Sequence, residues 1–184
     1  MHQVTVLFSL GANLGNRVET LDTAIRLLRE HGLEEVRVSS VYETDPVGYV
    51  DQPLFLNVCV LGRSSMTATE LRSRTQSIEQ SCGRKLRPQW HERELDIDIL
   101  LFGDSVIESD GLRIPHPRMH ERRFVLVPAA EIAADMMHPE LGVSISRLLH
   151  SCADTGKVRP WRISADPRLE ISGRIDNDIS TDTP

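Results

Sequence analysis

The segment 94–102 constrains the fold of this chain most, because it places two carboxylates inside what is otherwise an apolar, strand-like run. Side chains at positions i and i+2 of a β-strand lie on the same face, about 6.5–7 Å apart along the backbone. We therefore expect Asp96 and Asp98 on one face and the bulky apolar residues that alternate with them on the other. Neighbouring carboxylates removed from water require a compensating cation. Mg²⁺ is the candidate, since it prefers oxygen ligands and keeps water that a phosphate can displace; the alternative is an edge strand with a solvated polar face.

Basic segments flank this strand on both sides. Residues 83–93 and 116–124 contain arginines, histidines and a lysine, although the chain as a whole carries a formal net charge of −6. Cations gathered beside metal-binding carboxylates are what a bound polyphosphate requires. Taken one at a time, most of these residues are equally consistent with solvated loops.

Length and composition are typical of a small globular protein. The 184 residues suffice for one domain with its own core, and the hydrophobic (40%) and charged (26%) fractions are ordinary. The sequence contains no long apolar run, so we expect neither a signal peptide nor a membrane-spanning helix. Its three widely spaced cysteines predict reduced thiols in a cytoplasmic protein. The net acidic charge argues against non-specific binding to nucleic acid.

Hydrophobic periodicity and helix-capping patterns predict an α+β fold. Strands are expected at 4–10, 36–44, 54–61 and 94–102, with one helix after the first strand and another before the last. The helices begin at Asn16 and Thr67, each followed three residues later by a glutamate, and end near Gly32 and Gly83. This β-α-β-β-α-β order is the ferredoxin-like pattern, an antiparallel sheet with two helices on one face.

The remainder of the chain adds smaller elements. A C-terminal hairpin is expected at 106–108 and 112–114, and short helices at 129–134 and 145–149. From Arg159 onward the composition becomes polar and acidic. We therefore expect one domain over 1–158 and a surface appendage over 159–184.

Two further segments concern ligand binding. The glycine-containing segment 11–16 follows the first strand, but its spacing matches neither GxGxxG nor GxxxxGK[ST], so a tight strand-to-helix turn is the simpler interpretation. In the third strand, Phe55 and Asn57 share a face, and a flat ring beside an amide suits a planar heterocycle. Core packing of Phe55 is the alternative.

Five motifs together resemble the 6-hydroxymethyl-7,8-dihydropterin pyrophosphokinase family, whose members are folate-pathway enzymes. The motifs occur in family order, at close to family spacing, over about residues 4–150. They are LGANLGNR at 10–17, YxTxPVG at 42–48, DQPxFLN at 51–57, ELDIDIL at 94–100 and IPHPRMxxRxF at 114–124. Each is weak alone, whereas five in sequence are specific.

The resemblance implies transfer of the terminal pyrophosphoryl unit of ATP to the hydroxymethyl oxygen of the pterin, with AMP as the second product, in folate biosynthesis. It implies ATP as co-substrate and two Mg²⁺ ions held by Asp96 and Asp98. Arg84 and Arg93 would be the mobile cations that close on the phosphates. A monomer that acts on small molecules, without nucleic-acid or membrane partners, is expected.

Carried over by motif position, the resemblance also implies two sets of binding residues. The pterin set comprises Thr44, Asp45, Val47, Phe55, Asn57 and Phe124. Its two phenylalanines would lie on either side of the ring, with Asn57 at the hydrogen-bonding edge. The ATP set comprises Gln76, Glu79, Arg87, Trp90, Ile99, His116 and Arg122.

The sequence departs from the family pattern just before the carboxylate strand. Where the family usually has Trp-Gly-Pro-Arg, this chain has WHER at 90–93, and the preceding loop is one residue short. Arg87 is then the expected counterpart of the second loop arginine, and loop dynamics are expected to differ because a rigid Gly-Pro is replaced. On the nucleotide side, Gly111 and Arg113 stand where some members have other side chains.

Two functions of other classes are compatible with the same residues. A catalytically silent protein that binds nucleotide or pterin would keep both sites without turnover. A different Mg-dependent phosphotransferase or hydrolase would use the aspartate pair on another substrate. Formation of AMP rather than ADP distinguishes the pyrophosphokinase from both.

Overall fold

The fold is built on β1 (Val4–Ala12), a central strand that is hydrogen-bonded along both edges and buried over most of its length. The computed structural model of the protein describes residues 3–49, 51–85, 91–109 and 111–161. The other elements, in chain order, are α1 (Arg17–Glu30), β2 (Glu34–Val38), β3 (Tyr42–Thr44), β4 (Phe55–Ser64), α2 (Ala68–Ser81), β5 (Asp96–Phe102), β6 (Ile107–Ser109), β7 (Leu112–Ile114), a 3-10 turn (Met119–Glu121), α3 (Arg123–Ala133), β8 (Met137–His138), β9 (Val143–Ser144), α4 (Ile145–Ser151) and β10 (Val158–Pro160).

One antiparallel sheet contains six of these strands, in the order β10-β3-β4-β1-β5, with β2 also paired to β4. The register sets the carboxylates of β5 beside small residues of β1, because Asp96 opposes Gly11 and Asp98 opposes Ser9. On the other edge of β1, Gly11 opposes Asn57 of β4. The sheet therefore brings the aspartates and Asn57 to the same end of three neighbouring strands.

Helices cover both faces of the sheet. α1 and α2 pack on one face, in a core cluster that includes Val6, Phe8 and Leu10 of β1. α3 and α4 pack on the opposite face, in a second cluster that includes Leu7 and Cys59. The two predicted helices therefore share a face as expected, and the C-terminal helices form a third layer.

Local sequence explains where the two longer helices begin. Asn16 caps α1, since its side-chain oxygen accepts from the Glu19 N–H at 3.3 Å and its amide donates to the Glu19 carboxylate at 2.9 Å. Thr67 and Glu70 form the reciprocal capping box of α2. Both predicted helix starts are confirmed.

The continuous strand expected at 36–44 is wrong, because the structure has two shorter strands there, β2 and β3. At Ser39 the backbone N–H donates to the Cys59 carbonyl at 3.0 Å, while the hydroxyl accepts from the Cys59 N–H at 2.9 Å. A side chain thus takes the place of a backbone carbonyl in the ladder. Ser40 then turns toward α3, where its N–H and hydroxyl donate to Glu131.

The helix expected at 129–134 begins earlier, at Arg123, and continues through Pro128. A proline inside a helix removes a backbone donor, which is why the sequence favours a later start. Burial of Val125, Leu126 and Ala129 against the sheet offsets that cost.

The remaining elements follow the prediction more closely. The hairpin is present as β6 and β7, and α4 covers the helix expected at 145–149. Arg159 and Pro160, the first residues of the expected appendage, lie in β10 at the edge of the main sheet. Residues 162–184 lie outside the described part of the chain. None of the helices within the described ranges has the length and apolar character needed to cross a lipid bilayer.

Glu131 joins α3 to the break between β2 and β3. Its carboxylate accepts hydrogen bonds from the Ser40 N–H at 2.9 Å, the Ser40 hydroxyl at 2.8 Å and the Tyr42 hydroxyl at 3.0 Å. We expect Glu131→Ala to lower the free energy of unfolding by about 1 kcal/mol, because charge-assisted hydrogen bonds at an exposed position are lost. Chemical denaturation measures this change. Asp135→Ala, which removes an exposed carboxylate just beyond the same helix, is the control, and wild-type stability of Glu131→Ala would contradict the prediction.

Candidate active site

The two aspartates of β5 form the centre of the candidate site. Both carboxylates line the same two cavities. Each side chain keeps a little more than a third of its surface exposed, 38% for Asp96 and 37% for Asp98. Ile97 and Ile99, which alternate with them, belong to the core cluster under α1 and α2. The strand therefore presents both carboxylates to a ligand from one face, as the i, i+2 spacing predicts.

The protein only partly compensates the charge of this pair. Burial raises the pKa of Asp96, the charge of Asp98 raises it further, and the charges of Arg84, Arg93 and Arg122 oppose both effects. Burial also raises the pKa of Asp98, against the opposing charges of the same arginines. Because both pKa values remain raised, the pair is suited to binding an additional cation.

Arg84 connects the end of α2 to the first aspartate. One guanidinium nitrogen pairs with Glu79, and another lies 2.9 Å from Asp96 Oδ1. Glu79 is buried and also accepts a hydrogen bond from the Ile97 N–H at 2.7 Å. Burial is the largest influence on Glu79 and raises its pKa. Glu79 thus fixes both Arg84 and the start of β5.

His116 lies beside the second aspartate and is neutral. Burial, followed by the charge of Arg122, lowers the pKa of His116 to about 4. Its Nδ1 accepts a hydrogen bond from the Arg118 N–H at 3.2 Å, and its Nε2 lies 3.8 Å from Asp98 Oδ2. With Nδ1 acting as acceptor, the hydrogen-bond network assigns the ring proton to Nε2. His116 therefore presents a neutral N–H donor to the site.

The first cavity, of about 230 Å³, brings together all six residues of the expected pterin set: Thr44, Asp45, Val47, Phe55, Asn57 and Phe124. Asn57 and Thr44 are both 4% exposed, and Asn57 Nδ2 donates to Thr44 Oγ1 at 2.7 Å. This bond holds the amide plane and leaves its oxygen and its second N–H as polar groups of the cavity wall. The guanidinium of Arg122 lies over the Phe124 ring, 5.7 Å from its centroid.

Sequence reasoning missed three further residues of the first cavity, Ser9, Gly11 and His91. Ser9 and Gly11 alternate along β1, and a Cβ built on Gly11 would lie 2.9 Å from Asn57 Oδ1. A glycine is therefore required there for the amide to occupy its place. The signal in the sequence is the pairing of small residues at i and i+2 in an otherwise apolar strand.

The second cavity, of about 340 Å³, lies between α2, β5 and the β6–β7 hairpin. It contains four residues of the expected ATP set: Gln76, Glu79, Ile99 and His116. The two cavities share Asp96, Asp98 and His116. The carboxylate pair therefore lies at the junction of the two cavities, where it can contact a ligand in either one.

The other members of the expected ATP set lie elsewhere. Arg122 lines the first cavity rather than the second. Arg87 and Trp90 fall outside the described residues. The second cavity also contains Gly111 and Arg113, which the sequence places on the nucleotide side, and Arg72, which it does not.

Asn13, from the glycine-containing turn after β1, anchors the loop that carries Arg93. Asn13 is 2% exposed. Its side-chain Oδ1 accepts a hydrogen bond from the Arg93 backbone N–H at 2.7 Å, and its backbone N–H donates to the Arg93 carbonyl at 3.0 Å. Its amide nitrogen donates to Gln52 Oε1 and to the Pro53 carbonyl, both at 3.0 Å. The turn is therefore structural, and it sets Arg93 at the first cavity.

The residues that depart from the family pattern also touch a neighbouring loop. The ring of His91 stacks on that of Tyr49, with centroids 4.8 Å apart and planes 19° from parallel. The two loops that border the first cavity are thus in contact through a pair absent from the Trp-Gly-Pro-Arg pattern.

Comparison with known proteins agrees with this geometry. Residues 7–134 match the family model described as 7,8-dihydro-6-hydroxymethylpterin-pyrophosphokinase (HPPK). A Bacillus subtilis (strain 168) protein named 2-amino-4-hydroxy-6-hydroxymethyldihydropteridine pyrophosphokinase is 50% identical over 125 residues, 67% of this chain and 75% of that protein. A Haemophilus influenzae protein of the same name is 37% identical over 157 residues, 85% of this chain and 98% of that protein.

Solved structures show the same mixed fold with an antiparallel sheet. The crystal structure of wild-type HPPK-DHPS from Plasmodium falciparum superposes with a TM-score of 0.63 at 16% identity, covering 81% of this chain. The superposed region is 44% of that longer chain. Together with the extent of the family match, these similarities show that the chain belongs to the 7,8-dihydro-6-hydroxymethylpterin-pyrophosphokinase family.

Proposed function

We propose that this protein transfers the pyrophosphoryl group of ATP to the hydroxymethyl oxygen of 6-hydroxymethyl-7,8-dihydropterin, giving the pterin diphosphate and AMP in folate biosynthesis. Family membership supports both the substrates and the reaction type. The observation that carries the proposal is that two differently lined cavities meet at Asp96, Asp98 and His116. One suits a flat heterocycle, and the other suits a nucleotide.

The pterin would occupy the first cavity. Phe55 and Phe124 both line it and offer flat apolar surfaces to the ring. Asn57 offers an acceptor and a donor side by side, which matches the alternating groups of a pterin edge. Backbone groups around Thr44, Asp45 and Val47 would complete the wall. This arrangement directs the hydroxymethyl group of the pterin toward the carboxylates.

ATP would occupy the second cavity with its triphosphate toward the carboxylates. The nucleotide site in this assignment includes Gln76, Glu79, Ile99 and His116. Arg122 reaches the phosphates from the side of the first cavity. The neutral Nε2–H of His116 is a suitable donor to a phosphate oxygen. Arg87 and Trp90 complete the set.

The reaction forms a bond from the hydroxymethyl oxygen to the β-phosphorus and breaks the bond from that phosphorus to the oxygen bridging to the α-phosphate. The electron pair of the broken bond remains on AMP, and the hydroxyl proton passes to solvent. Arg84 and Arg93 neutralise charge on the bridging and outer oxygens. Phosphoryl transfer of this kind depends on positioning and charge neutralisation more than on a strong base.

Two Mg²⁺ ions are proposed at Asp96 and Asp98. The donor set fits, because two adjacent carboxylates face a ligand cavity and burial raises both pKa values, an effect that a bound cation would oppose. Over the described ranges, no three His, Cys, Asp or Glu side chains gather into a cage for a metal. Phosphate oxygens and water would therefore complete the coordination, as is usual for Mg²⁺. When bound, Mg²⁺ supplies charge neutralisation on the triphosphate.

We further propose that the core is ferredoxin-like and that the protein is a cytoplasmic monomer. The antiparallel order β5-β1-β4-β3, with α1 and α2 on one face, supports that topology. The domain is proposed to end near residue 158, with the strand β10 and the polar segment that follows it as an addition. The three free cysteines support a reducing compartment.

The product distinguishes the proposed reaction from its competitors. Incubation with Mg²⁺, ATP and the reduced pterin alcohol should give AMP and the pterin diphosphate in equal amounts, measured by anion-exchange chromatography. ADP as product would indicate an ordinary phosphotransferase, and nucleotide binding without turnover would indicate a silent binding protein. Either outcome would reject the proposal.

Asp98→Ala should lower kcat about a thousandfold or more, because the several kcal/mol of charge neutralisation that the metal supplies would be lost. The first cavity is otherwise intact, so pterin affinity measured by calorimetry should change little. Asp104→Ala, an exposed aspartate just after the same strand, is the control and should retain wild-type kcat. Near-normal turnover by Asp98→Ala would contradict the metal assignment.

Arg93→Ala should lower kcat about a hundredfold or more while ATP affinity falls much less, because its cation is needed mainly as charge develops during transfer. Single-turnover rates and equilibrium titration with ATP measure the two effects separately. Lys85→Ala removes an exposed cation of the same basic segment and should match wild type in both. Equal losses in rate and affinity for Arg93→Ala would make Arg93 a ground-state contact instead.

A further inference from the structure

Two arginines of the second cavity belong to none of the sets assigned above. Arg72 comes from α2 and Arg113 from β7, on different walls of the cavity. Arg72 is half-buried, and its guanidinium crosses from the helix to the hairpin turn, since a Cβ built on Gly111 would lie 3.3 Å from Arg72 Nη2. Gly111 has a φ of +73°, so the turn needs a glycine for its backbone and the absent side chain leaves room for the guanidinium.

The position of these arginines along the cavity follows from the elements that carry them. On the helix wall, Glu79 marks the carboxylate end, because it pairs with Arg84, which in turn contacts Asp96. Arg72 precedes Glu79 by two helical turns, a displacement of about 10 Å. It therefore lies at the end of the cavity remote from the aspartates.

The residues of the β6–β7 hairpin are arranged in the same order as those of α2, from the carboxylate end of the cavity to the arginine end. His116 lies 3.8 Å from Asp98, and both Arg113 of β7 and Gly111 of the turn before β7 precede it along the chain. The cavity thus has an anionic end at the carboxylates and a cationic end at the arginines. A triphosphate held at the first end leaves the ribose and the base for the second.

From this placement we infer that Arg72 binds the nucleoside half of ATP and not the triphosphate, with Arg113 contributing from the opposite wall. The inference rests on the proposed function, because it requires a nucleotide in the second cavity. A guanidinium is planar and carries only donors, so it can stack on a purine face and donate to ribose or base acceptors. Arg72 is therefore a residue for nucleotide affinity and specificity, two turns away from the phosphate chemistry.

Two ligands separate this role from a phosphate contact. The α,β-methylene analogue of ATP has the base, the ribose and three phosphates, whereas inorganic triphosphate has the phosphates alone. With Mg²⁺ present, Arg72→Ala should weaken binding of the analogue about tenfold, as expected for a partly desolvated stacking cation. The affinity for triphosphate should change less than about twofold. Isothermal titration calorimetry measures both.

Two further variants make the test specific. Arg72→Lys keeps the charge but not the planar group, so it should lose nearly as much affinity for the analogue as Arg72→Ala. It also tests the inference if Arg72→Ala does not fold. Arg74→Ala removes an exposed arginine of the same helix and should match wild type with both ligands.

Three results would overturn the inference. Equal losses for the analogue and for triphosphate would assign Arg72 to the phosphates. Wild-type affinity of Arg72→Ala for the analogue would make it only a wall residue, and full recovery by Arg72→Lys would show that charge alone suffices. Failure of the proposed function is recognised separately. If wild-type protein binds the analogue but forms no AMP from ATP and the pterin alcohol, the proposed reaction is rejected. The titrations with the analogue and with triphosphate still decide what Arg72 contacts.

Discussion

The site depends on two neighbouring carboxylates at the start of β5, a strand whose opposite face packs in the hydrophobic core. Ile97 fixes the orientation of β5 by packing under α1 and α2, so Asp96 and Asp98 have no alternative face to occupy. Their neighbours on β1 are Gly11 and Ser9, two small residues that line the first cavity. The surrounding arginines oppose the effect of burial on the two carboxyl groups without cancelling it, since both pKa values stay raised. The two carboxylates of β5 therefore still favour a positively charged ligand.

The features that sequence analysis predicted correctly are those set by short-range periodicity. The i, i+2 rule places both aspartates on one face from their spacing alone, and the same rule places Phe55 beside Asn57. Helix caps are equally local, because Thr67 and Glu70 satisfy each other's backbone groups within one turn. The assignment of six residues to one pterin pocket came from family resemblance rather than from periodicity, and the structure brings those six residues into one cavity.

The features that the sequence did not predict depend on contacts between distant segments. Ser39 interrupts a strand because it bonds to Cys59, twenty positions along the chain. Arg122 belongs to the same motif as His116, yet the turn that precedes α3 places it at the first cavity instead of the second. Arg72 has no local signal, since a single arginine on a helix is ordinarily a solvated residue. The role proposed for Arg72 follows only from the structure, in which Gly111 of the β6–β7 turn lies against the Arg72 guanidinium.

The basic segment before β5 is held at both ends by buried polar side chains. Glu79 binds Arg84 and the Ile97 N–H at one end, and Asn13 binds both backbone groups of Arg93 at the other. Glu79 belongs to α2 and Asn13 to the turn directly after β1, so the Arg84 guanidinium and the Arg93 backbone have fixed positions relative to the carboxylates. Such preorganisation reduces the entropy lost on reaching the transition state. The replacement of Gly-Pro by His91 and its neighbour leaves both anchors in place, which explains how this chain can vary the loop and keep the geometry of the site.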